Sequence, residues 1–394
     1  MRVLISGAGI AGLTLAYWLR HRGIESVVVE RAPHGRLGGY GVDFFGTGYD
    51  VATRMGILDR LTPHRLPVDA VEFVDASGSS QASLTPELLE RVIRGPHLPL
   101  MHTTLEGALL DAVATEVEIR FGESIAEVRD TGTAVEVGFT GGGRERFDLL
   151  VGADGIHSRT RELVFGHERR FVRHLGCRLA SYPVTDRYGW GRVRAHYTEP
   201  GRQVVVYPGG EPGRLVTLLL FRSPYGESVP RERRPDLLRA RFDGAGWITP
   251  SLLDDAPEGK SIFMDAMAQV VMPTWHRGRV ALVGDACGCM TMLSAQGVSM
   301  AMAGAYVLAE ALASEPGHES AFARYQERMR PQVRRRQRNA LLFARMLLPV
   351  TRAGLTTQSL TNRLITRRPF APVLRRQFGA DSFLPPATAG PERG

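Results

Sequence analysis

The sequence predicts an α/β fold: a Rossmann-like domain, interrupted by a mainly antiparallel β-sheet domain and followed by a helical C-terminal segment. Three observations predict it. The chain opens on an apolar strand, a Gly-x-Gly-x-x-Gly turn and a helix. Four strand-like runs separated by Gly/Pro turns occupy the middle. An Arg-rich helical pattern closes the chain.

Val3-Leu4-Ile5 reads as a short buried strand, Gly7-Ala8-Gly9-Ile10-Ala11-Gly12 follows at once, and Leu13 to Arg22 reads as a helix stopped by Gly23. Ser26-Val27-Val28-Val29-Glu30 is the second strand, which completes a βαβ opening unit. Leu100 to Thr115 reads as helical from about Thr103, and Thr103-Thr104-Leu105-Glu106 has capping-box spacing. Val117 to Val151 is strand-like, with Gly141-Gly142-Gly143 as a turn. Cys177–Val184, Val193–Tyr197, Val204–Tyr207 and Leu215–Phe221 form a meander. Val280-Ala281-Leu282-Val283 is another buried strand and Gly297 to Leu312 another helix; after Ala321 the chain is helical, interrupted at Pro349 and Pro369. The expected division is 1–70, 98–175 and 265–320 in the Rossmann-like domain, 71–97 and 176–264 in the β-sheet domain, and 321–394 in the tail.

Charge sorts the function classes. The net charge of the 394 residues is +8, and Lys260 is the only lysine. From Arg324 onward there are 15 Arg against Glu327, Asp381 and Glu392, or +12, which leaves −4 for the preceding 323 residues. The body is mildly acidic and the tail strongly basic, so a polyanion-binding role, if any, belongs to the tail. The run Arg334-Arg335-Arg336-Gln337-Arg338, with Leu341-Leu342-Phe343, Met346-Leu347-Leu348 and Leu355 as an apolar face, is read as a helix packed on the body, with solvated or paired arginines; a membrane-surface or nucleic-acid binder is the sharper alternative. Three cysteines (Cys177, Cys287, Cys289) make no disulfide framework and no C-x-x-C. No signal peptide is read at Met1-Arg2, and no apolar stretch is read as reaching the roughly 18 residues needed to span a bilayer. The expectation is a cytoplasmic protein with a small-molecule substrate, no nucleic-acid partner and no metal; zinc, Walker and serine-hydrolase motifs are not found.

The first motif carries chemistry. Gly7 allows a tight turn, Gly9 lets the backbone approach a pyrophosphate, and Gly12 lets helix and strand pack closely. Ile10 and Ala11 lie at the helix N-terminus, whose free N–H groups and positive dipole end face the phosphates. Glu30, followed by Arg31, ends the second strand, where an acid can accept a bond from a ribose hydroxyl.

Further segments resemble the single-component FAD-dependent monooxygenases, the group of para-hydroxybenzoate hydroxylase and the tetracycline-inactivating monooxygenases. Gly152-Ala153-Asp154-Gly155-Ile156-His157-Ser158-Arg159-Thr160-Arg161 resembles their Asp-Gly segment, Gly278 to Ala286 their Gly-Asp segment, and Gln296-Gly297-Val298 the start of the next helix. Gly39-Tyr40-Gly41-Val42-Asp43 is similar to their segment reaching the flavin from the first domain. The resemblance implies a FAD-binding domain. It implies that Asp285 accepts bonds from the ribityl chain and that Gln296, Gly297 and Val298 face the flavin N1/O2 edge. Asp154, Ser158 and Arg161 would support cofactor and pyridine nucleotide, and Asp43 would lie near the ring. Asp285 as a plain turn cap, Asp154-Gly155 as a plain turn and Asp43 as an ordinary exposed carboxylate stand beside these readings. The family mechanism implies NADH or NADPH as transient reductant, and a flavin C4a-hydroperoxide that hydroxylates or epoxidises the substrate with O2. No protein base or nucleophile is identified; the cofactor carries that chemistry.

The sequence departs from the family pattern in places. His102 stands where the family usually has a cofactor-contacting arginine, Thr291 or Met292 replaces proline, and Ala295 replaces glycine. These motivate an alternative, a cyclase or isomerase on the same fold with FAD as a non-redox scaffold or absent. Cys287 and Cys289 read as small buried residues. Seven of the 12 methionines lie between Met264 and Met302, as core filling or as the lining of an apolar pocket. Met290, Met292, Tyr207 and His196 are the candidate substrate contacts, with His174 beside them. An apolar, aromatic or polyketide-like molecule of secondary metabolism is the substrate expected. A flavin halogenase is disfavoured, because its essential lysine near the chain start and its full tryptophan motif are missing; Trp247-Ile248-Thr249-Pro250 matches half.

Overall fold

The computed structural model describes residues 1–33, 39–93, 95–224, 229–292, 295–365 and 381–385. In chain order the first half runs β1 (Arg2–Ser6), α1 (Ile10–His21), β2 (Glu25–Glu30), β3 (Gly41–Phe45), α2 (Thr47–Met55), α3 (Leu58–Leu61), β4 (Ala70–Val74), β5 (Ser80–Leu84), α4 (Pro86–Ile93), β6 (His97–Met101), α5 (His102–Asp111), β7 (Glu118–Phe121), β8 (Ile125–Asp130), β9 (Val135–Phe139), β10 (Arg144–Phe147), β11 (Leu149–Gly152) and α6 (Arg159–Phe165). Then come β12 (Val172–Thr185), β13 (Val193–Glu199), β14 (Arg202–Pro208), β15 (Arg214–Arg222), α7 (Arg234–Phe242), α8 (Thr249–Asp254), β16 (Phe263–Val270), β17 (His276–Arg277), β18 (Val280–Leu282), α9 (Asp285–Gly288), α10 (Gly297–Ser314), α11 (His318–Leu347) and α12 (Arg352–Ile365).

A six-stranded sheet has the order β17-β18-β11-β1-β2-β7, parallel except for β17. Its central strands are apolar on both faces because both are covered: Val3 and Ile5 belong to one buried cluster, Leu4 to another. The carboxyl ends of β1, β2, β11 and β18 therefore lie side by side, and the Gly7–Gly12 turn, Glu30, the Asp154 segment and the Gly284-Asp285 turn stand at or just after them. A three-stranded antiparallel sheet, β10-β9-β8, covers one side.

The second large sheet has the order β16-β12-β15-β14-β13-β4-β5. Its strands alternate with a period of two. Ala180, Tyr182, Tyr197, Val204, Val206 and Phe221 point to one face, under Leu238, Phe242 and Leu252 of α7 and α8. Leu179, Val205, Tyr207, Val216, Leu220 and Met267 point to the other, towards Leu66, Met292 and Leu348. The meander strands run longer than the sequence reading, and β16 and β4–β5 join the same sheet. β3 and β6 form a two-stranded link, with Gly41 opposite Met101 and Phe45 opposite His97.

Two sequence expectations are corrected. The capping box at Thr103–Glu106 does not form: α5 begins at His102, its N-cap is Met101, and no side chain caps it. α10 is 18 residues long and apolar enough to cross a membrane by length and composition, but 72% of it is buried inside the protein. It lies against α1, α2 and α11, so its apolar composition reflects burial on most sides. The α11 helix starts at His318 and carries Pro331 within it; it ends before Pro349. Phe322, Tyr325, Met329, Val333 and Ala340 make its buried stripe. Pro369 and the side chains of Leu342, Phe343 and Met346 lie outside the described residues.

Candidate active site

β1 ends at Ser6 and α1 begins at Ile10, so the chain reverses within three residues. Gly7 has φ +112°, and a Cβ there would lie 2.6 Å from the Ala153 carbonyl oxygen. A Cβ on Gly12 would lie 1.9 Å from the Gly7 carbonyl oxygen. Both obstacles are backbone, so no side-chain rotation relieves them. Gly9 differs: a Cβ there would meet only Glu106 Oε1, at 3.7 Å. No side chain caps α1, so the N–H groups of its first turn, at Ile10 and Ala11, are left open to approach.

Glu30 stands at the end of β2. Its Oε2 accepts the Ala8 N–H at 2.9 Å and its Oε1 the Ala32 N–H at 2.9 Å. The carboxylate is held in one orientation with acceptor capacity left over. Arg31 is exposed beside it.

At the end of β18 the chain turns through Gly284 (φ +65°), where a Cβ would lie 2.8 Å from the Ala11 Cβ. The Gly-Asp turn thus packs directly on α1. Asp285 is exposed at the first position of α9. Asp285, Met290 and Gly297 line one narrow cleft with Gly284, Met300 and Ala301. α10 has no side-chain cap, and a Cβ on Gly297 would meet nothing within 4 Å. Gln296 is buried and Val298 half-buried. Ala295 has φ +51° and Thr291 φ +78°, left-handed conformations that favour glycine.

Asp154 is committed locally. Its Oδ1 accepts the Ser158 hydroxyl at 2.5 Å, and its Oδ2 accepts the Thr160 N–H and hydroxyl, both at 2.8 Å. Ser158 Oγ in turn accepts the Arg161 N–H and caps α6. The Arg161 guanidinium, buried, donates to the carbonyls of Ala286 (3.0 Å) and Ile156 (2.6 Å), tying the Asp-Gly segment to the Gly-Asp turn. His157 joins this segment to the second sheet: Nδ1 pairs with Glu168 at 3.0 Å and Nε2 with Asp265 at 3.7 Å. Chiefly through Asp265, its pKa is pushed up to about 9.

Asp43 is no ordinary exposed carboxylate. Arg194 of β13 grips it bidentately, at 2.8 and 3.1 Å, and His97 Nε2 lies 3.1 Å from Oδ1. Burial alone would push its carboxyl up; the guanidinium and His97 outweigh that and hold it well below the usual range. The neighbouring Gly41 N–H donates to the Tyr207 hydroxyl at 2.6 Å, and a Cβ on Gly41 would lie 2.6 Å from the Tyr207 ring. These bonds fasten β3 to the face of the second sheet that bears Tyr207 and Val205. His196 shares that face with Arg194, two residues along β13. Its ring lies 5.3 Å from Phe73, and its buried Nδ1 has no hydrogen-bond partner among the described residues. Burial pushes its pKa down to about 3, with Arg194 adding repulsion. His174 lies on β12 instead, near the His157 group, and its pKa is lowered by burial.

His102 begins α5. Its ring lies 5.3 Å from Tyr40, and Nδ1 pairs with Glu106 at 3.4 Å. Of the methionine group, Met264, Met267, Met272, Met290, Met300 and Met302 are buried in the cores; Met292 is half-buried against the Tyr207-bearing face of the second sheet. Cys287 and Cys289 are buried, and burial pushes the Cys287 thiol up to about 12. A hollow of about 650 Å³ lined by Val184, Arg187, Arg214, Asp255 and Lys260 shares no residue with these motifs.

Sequence reasoning did not single out Arg194, and gave Glu106 only as a capping-box member. Strand period was the available signal for Arg194, since it places residues 194 and 196 on one face. The pairing of Glu106 with His102 depends on which face of α5 turns inward.

The comparisons with known proteins agree on one family. The family model described as a FAD binding domain matches residues 1–340. A flavin-dependent monooxygenase from an unknown prokaryotic organism is 32% identical over 340 residues, covering 85% of this chain and 87% of that protein. One from Legionella longbeachae is 31% identical over 335 residues, covering 84% and 85%. The crystal structure of the tetracycline destructase Tet(51) superposes with a TM-score of 0.80 at 28% identity, over 95% of this chain and 98% of that one.

Proposed function

Because this chain belongs to the FAD-binding-domain family of flavin-dependent monooxygenases, we propose that it inserts one oxygen atom of O2 into an apolar, aromatic or polyketide-like small molecule, with NADH or NADPH as transient reductant. FAD, when bound, supplies the electron transfer and the oxygen activation.

The carrying observation is the convergence of open backbone at the carboxyl edge of one parallel sheet. The Gly7–Gly12 cradle, the fixed Glu30 carboxylate, Asp285 and the uncapped start of α10 all lie there. These residues fit FAD. Gly9, Ile10 and Ala11 would receive the pyrophosphate and Glu30 a ribose hydroxyl. Asp285 would accept from the ribityl chain, and Gln296, Gly297 and Val298 would meet the pyrimidine edge of the ring. His102, opposite Glu106, would stand near the phosphates. Asp154 would act indirectly, by holding the turn that Arg161 ties to Ala286.

The substrate would lie on the face bearing Tyr207, His196, Arg194 and Met292. Its apolar side chains would exclude water, while the Asp43–Arg194 pair would keep a charged, oriented wall. Asp43 would thus position Arg194. No residue of this chain is assigned as acid or base.

The purified protein should be yellow, with a flavin spectrum released on denaturation. Anaerobic NADH or NADPH should bleach it, faster with substrate. A colourless protein that gains no flavin spectrum on titration with FAD would overturn the proposal, and bound flavin that no nicotinamide reduces would remove the reductant from it.

A further inference from the structure

The run Arg334-Arg335-Arg336-Gln337-Arg338 on α11 looks uniform in sequence, but the fold divides it. Arg334, Arg335 and Arg338 are exposed, whereas Arg336 and Gln337 are 8% and 6% exposed. The Gln337 amide donates to the carbonyls of Val270 (2.8 Å) and Cys289 (2.9 Å), and Gln269 donates to the Gln337 carbonyl (2.8 Å). This straps the end of β16 to the segment leading to α10.

Arg336 reaches the far end of that segment. Its Nε donates to Gln296 Oε1, and its Nη1 donates to the carbonyl (3.2 Å) and side-chain oxygen (3.0 Å) of Gln332. Every acceptor is neutral. No carboxylate of the described residues lies within ion-pair distance of this guanidinium. Burial, with Arg335 nearby, lowers its pKa to about 10, which still leaves it charged at neutral pH. A buried cation without a counter-charge is costly. Gln296, its partner, is the N-cap residue of α10, an 18-residue helix whose N-terminus no side chain caps. A fixed cation and a helix dipole therefore put positive potential at one place, and among the described residues no carboxylate pairs with Arg336.

We propose that Arg336 is a positioning residue for the bound flavin. Acting through Gln296, it adds positive potential at the start of α10 and favours the reduced, anionic form of FAD over the oxidised form. The electrons come from the nicotinamide; Arg336 transfers neither electron nor proton. The inference rests on the reading above that FAD meets the start of α10.

The test is the midpoint potential of the FAD-loaded, full-length protein, measured spectroelectrochemically at pH 7 for the wild type, Arg336→Met and Arg336→Lys. In Arg336→Met the ratio of reduced- to oxidised-FAD affinity should fall about tenfold, a drop of ~30 mV for the two-electron couple. Arg336→Lys should retain most of the wild-type value. The thermal midpoint of the full chain without added FAD should hold or rise in Arg336→Met, because an apolar side chain replaces an unbalanced charge. Should that variant fail to fold, Arg336→Gln is expected to show the same fall in potential. Flavin bound with unaltered potential in the neutral variants would overturn the role of Arg336 alone. A wild type that binds no FAD would overturn the cofactor reading and this inference with it.

Discussion

Replacing His196 by leucine should remove a defined part of the acid sensitivity of the fold. The ring is packed near Phe73 with an unpartnered, buried Nδ1. Burial, aided by Arg194, pushes its pKa down to about 3 from the ordinary 6.5. A base whose folded pKa is depressed contributes full stability above the unfolded pKa and loses it as pH falls, because the unfolded chain takes up the proton first. Between pH 7 and pH 5 this one group should cost about 2 kcal/mol, at ~1.4 kcal/mol per pH unit below 6.5. Urea unfolding of both proteins at pH 7 and pH 5 isolates the term, since all other titrating groups are shared. The wild type should lose about 2 kcal/mol more than His196→Leu over that interval. Equal losses would show that His196 is protonated in the fold or open to water, and would refute its burial beside Phe73.

Gly12→Ala should lower stability by about 1–3 kcal/mol and weaken FAD binding, because its Cβ would lie 1.9 Å from a backbone oxygen; wild-type affinity in a FAD titration would contradict the cradle. Ala295→Gly should leave stability unchanged or raise it by up to ~1 kcal/mol, as relief of a positive φ offsets the extra chain entropy; a clear loss in denaturant unfolding would exclude the left-handed conformation. His102→Arg should tighten FAD severalfold by placing a permanent charge beside the α1 cradle, opposite Glu106; an unchanged dissociation constant would remove residue 102 from the cofactor contacts. His157 should titrate near pH 9 by NMR. Its pairing with Asp265 and Glu168 then adds stability that is full below pH 6.5 and lost as pH rises through about 9; a midpoint near 6.5 would deny the pairing.

The local chemistry of the cofactor end was legible in the residues themselves. Gly7 and Gly12 are demanded by backbone contacts that any strand–turn–helix of this spacing makes, and Glu30 ends a strand whose length its apolar run sets. The strand before Gly284 and the helix from Gly297 were legible as elements, whereas the roles given to the Gly-Asp turn and the start of α10 came from the family resemblance. The capping box was misread because Thr103 already lies inside the helix that β6 delivers at His102, and register across β3–β6 decides that boundary. The apolar length of α10 was likewise invisible as a helix of the interior until α1, α2 and α11 surrounded it.

Sequence by itself determined the class of fold, the family and the glycine-built turn between β1 and α1, because these depend on contacts between near neighbours. Tertiary structure alone decided which charges became paired, buried or left over. Asp43 meets Arg194 across 151 residues, and Arg336 meets Gln296 across 40. Electrostatic meaning depends on burial and on distance in space, and neither is written in the spacing of residues along a chain.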